Sequence, residues 1–158
     1  MSFRIRPARS TDVPAVTRLV TDVLAEFGLT FGDGSATDAQ LLDLPQSYDA
    51  HGGAFWVAVD DGAAQVALIG TCGVYPVDEG TFEVRKMYLP NEARGRGVGK
   101  ALFVEARAFV KRAGGTRLVL DTTEQMVSAI RFYESQGFVR DDTQRRGVRC
   151  SRGYALDV

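Results

Sequence analysis

Residues 81–112 pass from strand to glycine-rich loop to helix without a break, and that succession constrains the fold more than any other feature of the chain. TFEVRKMYL (81–89) is β-prone and ends at Pro90. The loop sets Gly95, Gly97 and Gly99 among Arg94, Arg96 and Lys100. Leu102, Ala106, Phe109 and Val110 then recur at helical spacing to about Arg112, and Gly114-Gly115 stops the helix. A strand that feeds a helix in this way belongs to a sheet covered by helices.

The rest of the chain alternates similarly. FRIRPA (3–8) reads as a strand. Ser10 or Thr11 is the expected cap of a helix with Val13, Val16, Val20, Val23 and Phe27 on its apolar face, stopped by Gly28. Residues 28–38 read as loop, and a weaker helix spans Asp38 to Leu44. AFWVAVD (54–60) is a strand that an Asp61-Gly62 turn joins to VALIGTCGVYP (66–76). RLVLDT (117–122) is a short buried strand. Thr122-x-x-Gln125 forms a capping box for a helix through Ser135, with Gly137 as its stop. Residues 137–139 and 148–158 read as a closing hairpin, connected around 140–147. The expected order is β-α-(α)-β-β-β-α-β-α-β-β: one α/β domain over residues 1–158, a mixed sheet with helices on its faces.

Composition narrows the function. A chain of 158 residues, 45% of them hydrophobic, suffices for one domain with a core. A formal net charge of −1 gives no global pull toward nucleic acid or an anionic membrane. Cys72 and Cys150 have neither disulfide-framework nor zinc spacing, and the only histidine, His51, has no partner at ligand spacing, so no metal is expected. No stretch is long and apolar enough to span a bilayer, and MSFRIRPARSTD lacks the apolar core of a signal peptide. The expectation is a cytoplasmic protein.

The glycine loop invites an anion. A Walker loop is ruled out by Arg94, where its first glycine belongs, and by Ala101, where its Mg²⁺-binding hydroxyl belongs. A dinucleotide fingerprint fails at Lys100, in place of the third glycine. What remains is Arg-x-x-Gly-x-Gly, Arg94 to Gly99, opening a helix. Free N–H groups, the helix dipole and three cations suit a dianion or pyrophosphate; the alternative is a surface turn that binds nothing.

EVRKMYLPNEARGRGVGKALF (83–103) resembles the acetyl-coenzyme A binding motif of the GNAT superfamily of N-acetyltransferases, with Glu83, Pro90 and Arg94 to Gly99 in the family order. A second family motif is similar to LDTTEQMVSAIRFYESQGF (120–138), through Ala129, Phe132-Tyr133 and Gly137-Phe138, and IRPARSTD resembles many family starts. The resemblance implies a mixed, mostly antiparallel twisted sheet with helices on both faces, and acetyl-CoA as acyl donor. It implies that Arg94, Gly95, Arg96, Gly97, Val98, Gly99 and Lys100 hold the pyrophosphate. It also implies that a strand bulge opens a gap in which the backbone of Met87, Tyr88 and Leu89 meets pantetheine, with an N–H near Met87 as oxyanion donor. One position departs: many members carry Asn where this chain has Met126.

By the same resemblance Glu83, eleven residues before Arg94, is the expected base. A carboxylate is a weak base for an ammonium, so it would act through ordered water or by selecting the neutral amine. The alternative is a solvent-facing strand glutamate paired with Arg85 or Lys86, and Asp121 is a second candidate base. Tyr133 matches the family tyrosine that meets the coenzyme sulfur and is the expected acid; the alternative is core packing beside Phe132. Cys72 and Trp56 read as core residues and His51 as a loop residue. Arg145, Arg146, Arg149 and Arg152 read as a solvated hairpin face, with a carboxylate or phosphate clamp for the acceptor as the alternative.

The leading expectation is acetylation of a primary amine on a small molecule or peptide, with neither nucleic acid nor membrane as partner. The alternatives are a non-catalytic acyl-CoA binding or sensing module, and acetylation of a protein lysine or N-terminus. Segments 28–53 and 139–150 are expected to set the acceptor. Family domains often form homodimers, an option that no residue pattern here fixes.

Overall fold

A computed structural model describes residues 2–62 and 67–158. Its strands are β1 (Phe3–Pro7), β2 (Ala54–Asp60), β3 (Ala67–Asp78), β4 (Thr81–Tyr88), β5 (Arg117–Thr122), β6 (Val139–Arg140) and β7 (Arg152–Asp157). They form one seven-stranded sheet in the order β1-β2-β3-β4-β5-β7-β6. β4 and β5 run parallel, and the other neighbouring pairs run antiparallel. The helices are α1 (Val13–Glu26), α2 (Gln46–Asp49), α3 (Val98–Arg112) and α4 (Val127–Ser135). Among the described residues no helix is long and apolar enough to cross a membrane.

The strand alternation explains why both faces are covered. On β2, Trp56 and Ala58 join the core under α3, with Leu102, Ala106 and Val110. Phe55, Val57 and Val59 point the other way, into a second core with Val16, Val20 and Val23 of α1 and Tyr48 of α2. A strand buried on both faces reads as a continuous apolar run, which AFWVAVD is.

Two irregularities of β4 shape the site. Its pairing with β5 covers only Thr81–Arg117, Phe82–Leu118 and Glu83–Val119, after which the strands part. On the other side Gly73 pairs with Arg85 and Thr71 with Tyr88, so Cys72 alone faces Lys86 and Met87. This is a bulge, with Lys86 at φ 54, and the buried Thr71 hydroxyl donates to the Lys86 carbonyl over 2.7 Å. As a result Arg85 and Lys86 both project to the α1 side: Arg85 reaches Gln40 and Lys86 reaches Asp38.

Several local expectations need correction. Neither Ser10 nor Thr11 caps α1; a 3-10 turn precedes it, and the Asp12 carboxylate takes the Arg9 N–H (2.7 Å) and the Arg6 guanidinium (2.8 and 2.9 Å). The weaker helix is a 3-10 segment, Asp38–Asp43, followed by α2. The Thr122–Gln125 capping box does not form. Thr122 is still in register with Arg152 at the end of β5, its hydroxyl lies 3.8 Å from Met126 Sδ, and α4 starts at Val127. The final strand begins at Arg152, later than the expected hairpin arm. Val66, the first residue of the strand expected over 66–76, lies outside the described residues.

Candidate active site

Where β4 and β5 part, two cavities meet. The first, about 380 Å³, runs from Val23 and Phe27 of α1 along Met87, Tyr88 and Leu89 to the glycine loop, with Phe132 and Tyr133 of α4 on its far wall. The second, about 340 Å³, lies between segment 34–37, the charged side of β4 and segment 146–150. Met87, Tyr88, Met126, Ala129 and Tyr133 line both, so these five residues form the junction.

Of the loop residues, Arg94, Gly95, Gly97, Val98, Gly99 and Lys100 line the first cavity. Gly95 and Gly97 have φ of 78° and 83°, and a Cβ built on either meets no atom within 4 Å. The backbone there is both left-handed and bare, as a close anion requires, and Gly97 is the N-cap of α3. The Arg94 guanidinium donates to Glu26 Oε2 (3.0 Å) and the Leu89 carbonyl (3.1 Å), which ties the loop to α1. Lys100 is exposed. The Arg96 side chain turns away instead, to 3.6 Å from Asp60 Oδ2, and does not line this cavity.

Glu83 is buried rather than solvent-facing, at 4% exposure, and lines the second cavity. Its Oε1 accepts from Arg85 Nε at 2.5 Å, while Oε2 has no hydrogen-bond partner among the described residues and forms an ion pair with Arg146 at 3.6 Å. Asp121, the other candidate base, accepts the main-chain N–H groups of Arg146 (2.6 Å) and Gly147 (2.7 Å) and so folds that segment over the cavity. Tyr133 is buried at 6% exposure, packed edgewise on Phe132 and Phe138, and burial pushes its hydroxyl well above the ordinary tyrosine range.

The arginine cluster divides. Arg149 is not solvated: its guanidinium forks onto the buried Asp38 at 3.1 and 3.2 Å. Lys86 from the bulge and the Gly32 N–H reach the same carboxylate. Burial alone would raise Asp38, but these partners outweigh it and hold the carboxyl at about 2. Asp38 and Thr71 were not among the residues singled out in the sequence, and no local pattern marks either. The remaining assignments to the core hold: Cys72 is fully buried, with its thiol pushed up to about 12 by burial, and Trp56 packs on Phe109 at 5.6 Å.

Residues 19–138 match the Acetyltransferase (GNAT) family. The chain is 34% identical over 135 residues to the uncharacterized N-acetyltransferase YjgM of Escherichia coli strain K12, a match covering 83% of this chain and 78% of that one. It is 34% identical over 109 residues to human N-acetyltransferase 8B, covering 65% of this chain but only 46% of the human protein. A GNAT-family acetyltransferase of Staphylococcus aureus Mu50 superposes with a TM-score of 0.87 at 19% identity, over 99% of both chains. The PaiA N-acetyltransferase of Thermoplasma acidophilum, solved in complex with coenzyme A, superposes at 0.79 and 20% identity over 100% of both. At such identities the superpositions speak for the fold, and the sequence matches carry the conclusion: this chain belongs to the GNAT family and is an N-acetyltransferase.

Proposed function

We propose that the chain transfers the acetyl group of acetyl-CoA to the primary amine of a small molecule or peptide, with Glu83 as base and Tyr133 as acid. The observation that carries this reading is the junction. One cavity opens on a bare glycine loop at a helix N-terminus, the other holds a buried carboxylate, and Tyr133 lines both.

The residues present suit the donor. The open backbone at Gly95 and Gly97, the start of α3 and the Lys100 ammonium would hold the pyrophosphate. Beyond Glu83, β4 has no β5 partner, so its backbone from Met87 to Leu89 would meet pantetheine, with the Leu89 carbonyl already accepting from Arg94. Bound there, acetyl-CoA supplies an activated acyl group. Glu83 Oε2, buried and without a hydrogen-bond partner, takes the proton of the attacking amine directly or through water. The Met87 N–H steadies the negative charge that develops on the carbonyl oxygen, a role worth about 3 kcal/mol in other enzymes. Tyr133, kept protonated by burial, gives its proton to the departing thiolate and takes back the one that Glu83 has drawn from the amine, relayed by water, so that CoA leaves as the thiol and both residues regain their starting states.

The test is release of free thiol from acetyl-CoA across a panel of amines, together with acetyl-CoA titration by calorimetry. Amine-dependent thiol release is expected. Tight binding without release on any amine, peptide or protein lysine would favour a binding module instead.

A further inference from the structure

Four cationic side chains line the second cavity: Arg85, Lys86, Arg146 and Arg149. Three are committed. Arg85 is held by Glu83 Oε1, by Gln40 Oε1 (3.1 Å) and by the face of Tyr75, 4.2 Å from its guanidinium carbon. Lys86 and Arg149 share Asp38. Arg146 is different. Its guanidinium donates to the main-chain and side-chain carbonyls of Gln144 (3.0 and 3.3 Å), has no carboxylate within hydrogen-bond distance among the described residues, and is 39% exposed. Its backbone is anchored separately, because Asp121 spends its carboxylate on the Arg146 and Gly147 N–H groups.

The cavity therefore holds one loose ion pair: Glu83 Oε2, buried and accepting no hydrogen bond among the described residues, and the Arg146 guanidinium 3.6 Å away, near enough to attract but not to hydrogen-bond, so that a zwitterion set between them could satisfy both. Among the described residues, the charged groups in and behind the wall are four cations against three carboxylates, Glu83, Asp121 and Asp38. A plain ammonium meets an excess of positive charge there. A molecule that brings its own anion does not, and a guanidinium fork matches a carboxylate in shape as well as charge.

We infer that the acceptor is an amine carrying a carboxylate close to its nitrogen, a free amino acid, with the amine directed to Glu83 Oε2 and the carboxylate to Arg146. This rests on reading the junction as the place of acetyl transfer. Met87, Met126 and Val148 also line this cavity and would give an apolar side chain something to touch. Because the main chain at 146 is held by Asp121, Arg146→Gln removes the charge without freeing the segment.

The experiment compares acceptors with and without the carboxylate, each kcat/KM expressed per neutral amine to remove their difference in basicity: L-phenylalanine against phenethylamine, and L-leucine against isopentylamine. In the wild type kcat/KM is expected to favour the amino acid of each pair by about tenfold or more, the scale of a charge-assisted hydrogen bond, and in Arg146→Gln the ratio is expected to approach unity. Equal efficiency on both members in the wild type overturns the inference. So does an equal loss on both members in Arg146→Gln, which would assign Arg146 to Glu83 alone. Calorimetry with CoA present supplies a readout that needs no turnover: N-acetyl-L-phenylalanine should bind more tightly than N-phenethylacetamide, and Arg146→Gln should abolish the difference. If no amine turns over, the proposed transfer to small primary amines is overturned, and this titration decides the carboxylate by itself: a preference sustains it, and equal binding removes it.

Discussion

Tyr133 and Glu83 stand on opposite sides of the same chemical question, since each is buried and each has a purely structural explanation available. For Tyr133 that explanation is its packing on Phe132 and Phe138. Tyr133→Phe keeps the ring and removes the hydroxyl, so a general-acid role predicts a kcat loss of about 10²–10⁴ with acetyl-CoA affinity and melting temperature nearly unchanged. Because burial raises the hydroxyl above its ordinary range, the folded protein keeps this proton through neutral and mildly alkaline pH. Tyr133 therefore sets no alkaline limit on the wild-type rate within that range. A drop of several degrees in melting temperature alongside lost activity would favour packing. For Glu83 the structural explanation is its ion pair with Arg85. Glu83→Gln is expected to lower kcat most near neutral pH and to regain rate at alkaline pH, where the amine deprotonates by itself. A pH–rate profile depressed equally at every pH assigns Glu83 to holding Arg85.

Among the elements, the loop that opens α3 was the most legible in the sequence, because turn chemistry and helical periodicity are local signals. Gly97 occupies a left-handed conformation with open space around its Cβ position, and asparagine and aspartate tolerate that backbone better than other side chains do. Gly97→Asn and Gly97→Asp thus differ chiefly in charge. Calorimetry with acetyl-CoA is expected to show Asp weaker than Asn by about tenfold or more, as an anion facing an anion demands. Equal, wild-type affinity in both variants would take the loop out of the site. The bulge in β4 was legible only through family resemblance. Its residue types are ordinary, and the hydrogen bond that braces it runs from Thr71 to Lys86, fifteen positions apart in sequence. The failed capping box at Thr122 has a similar cause, since pairing with Arg152 keeps that residue in the strand.

At the scale of the whole molecule, one carboxylate gathers segments that have no sequence proximity. Asp38 accepts from Gly32, from Lys86 on β4 and from Arg149, the last 111 residues away. No period or motif announces such a node; it exists only once the sheet has brought the loops together. Its carboxyl is depressed from 3.8 to about 2, so the stabilisation it gives is fully present above pH 4 and is lost as pH falls from about 4 through 2. Asp38→Asn should flatten the dependence of stability on pH across that window. Near neutrality it should destabilise by about 3–5 kcal/mol, because Lys86 and Arg149 are left buried without their counter-ion. Denaturant unfolding from pH 2 to 7 checks both expectations; parallel curves for variant and wild type would mean that Asp38 contributes no linked stability.

The bulge at Lys86 also has a consequence of phase. Side chains of a strand alternate between its faces, so one extra residue exchanges odd for even from there onward. Phe82 and Val84 face α3, whereas after the bulge Met87 takes that side. In an unbroken alternation Lys86 would follow Phe82 and Val84 into an apolar core. The same single-residue slip thus moves a lysine to the charged wall and a methionine to the junction. Deleting the extra residue would rephase the linings of both cavities at once, and any transplant of this acceptor wall onto a related sheet has to carry the slip with it.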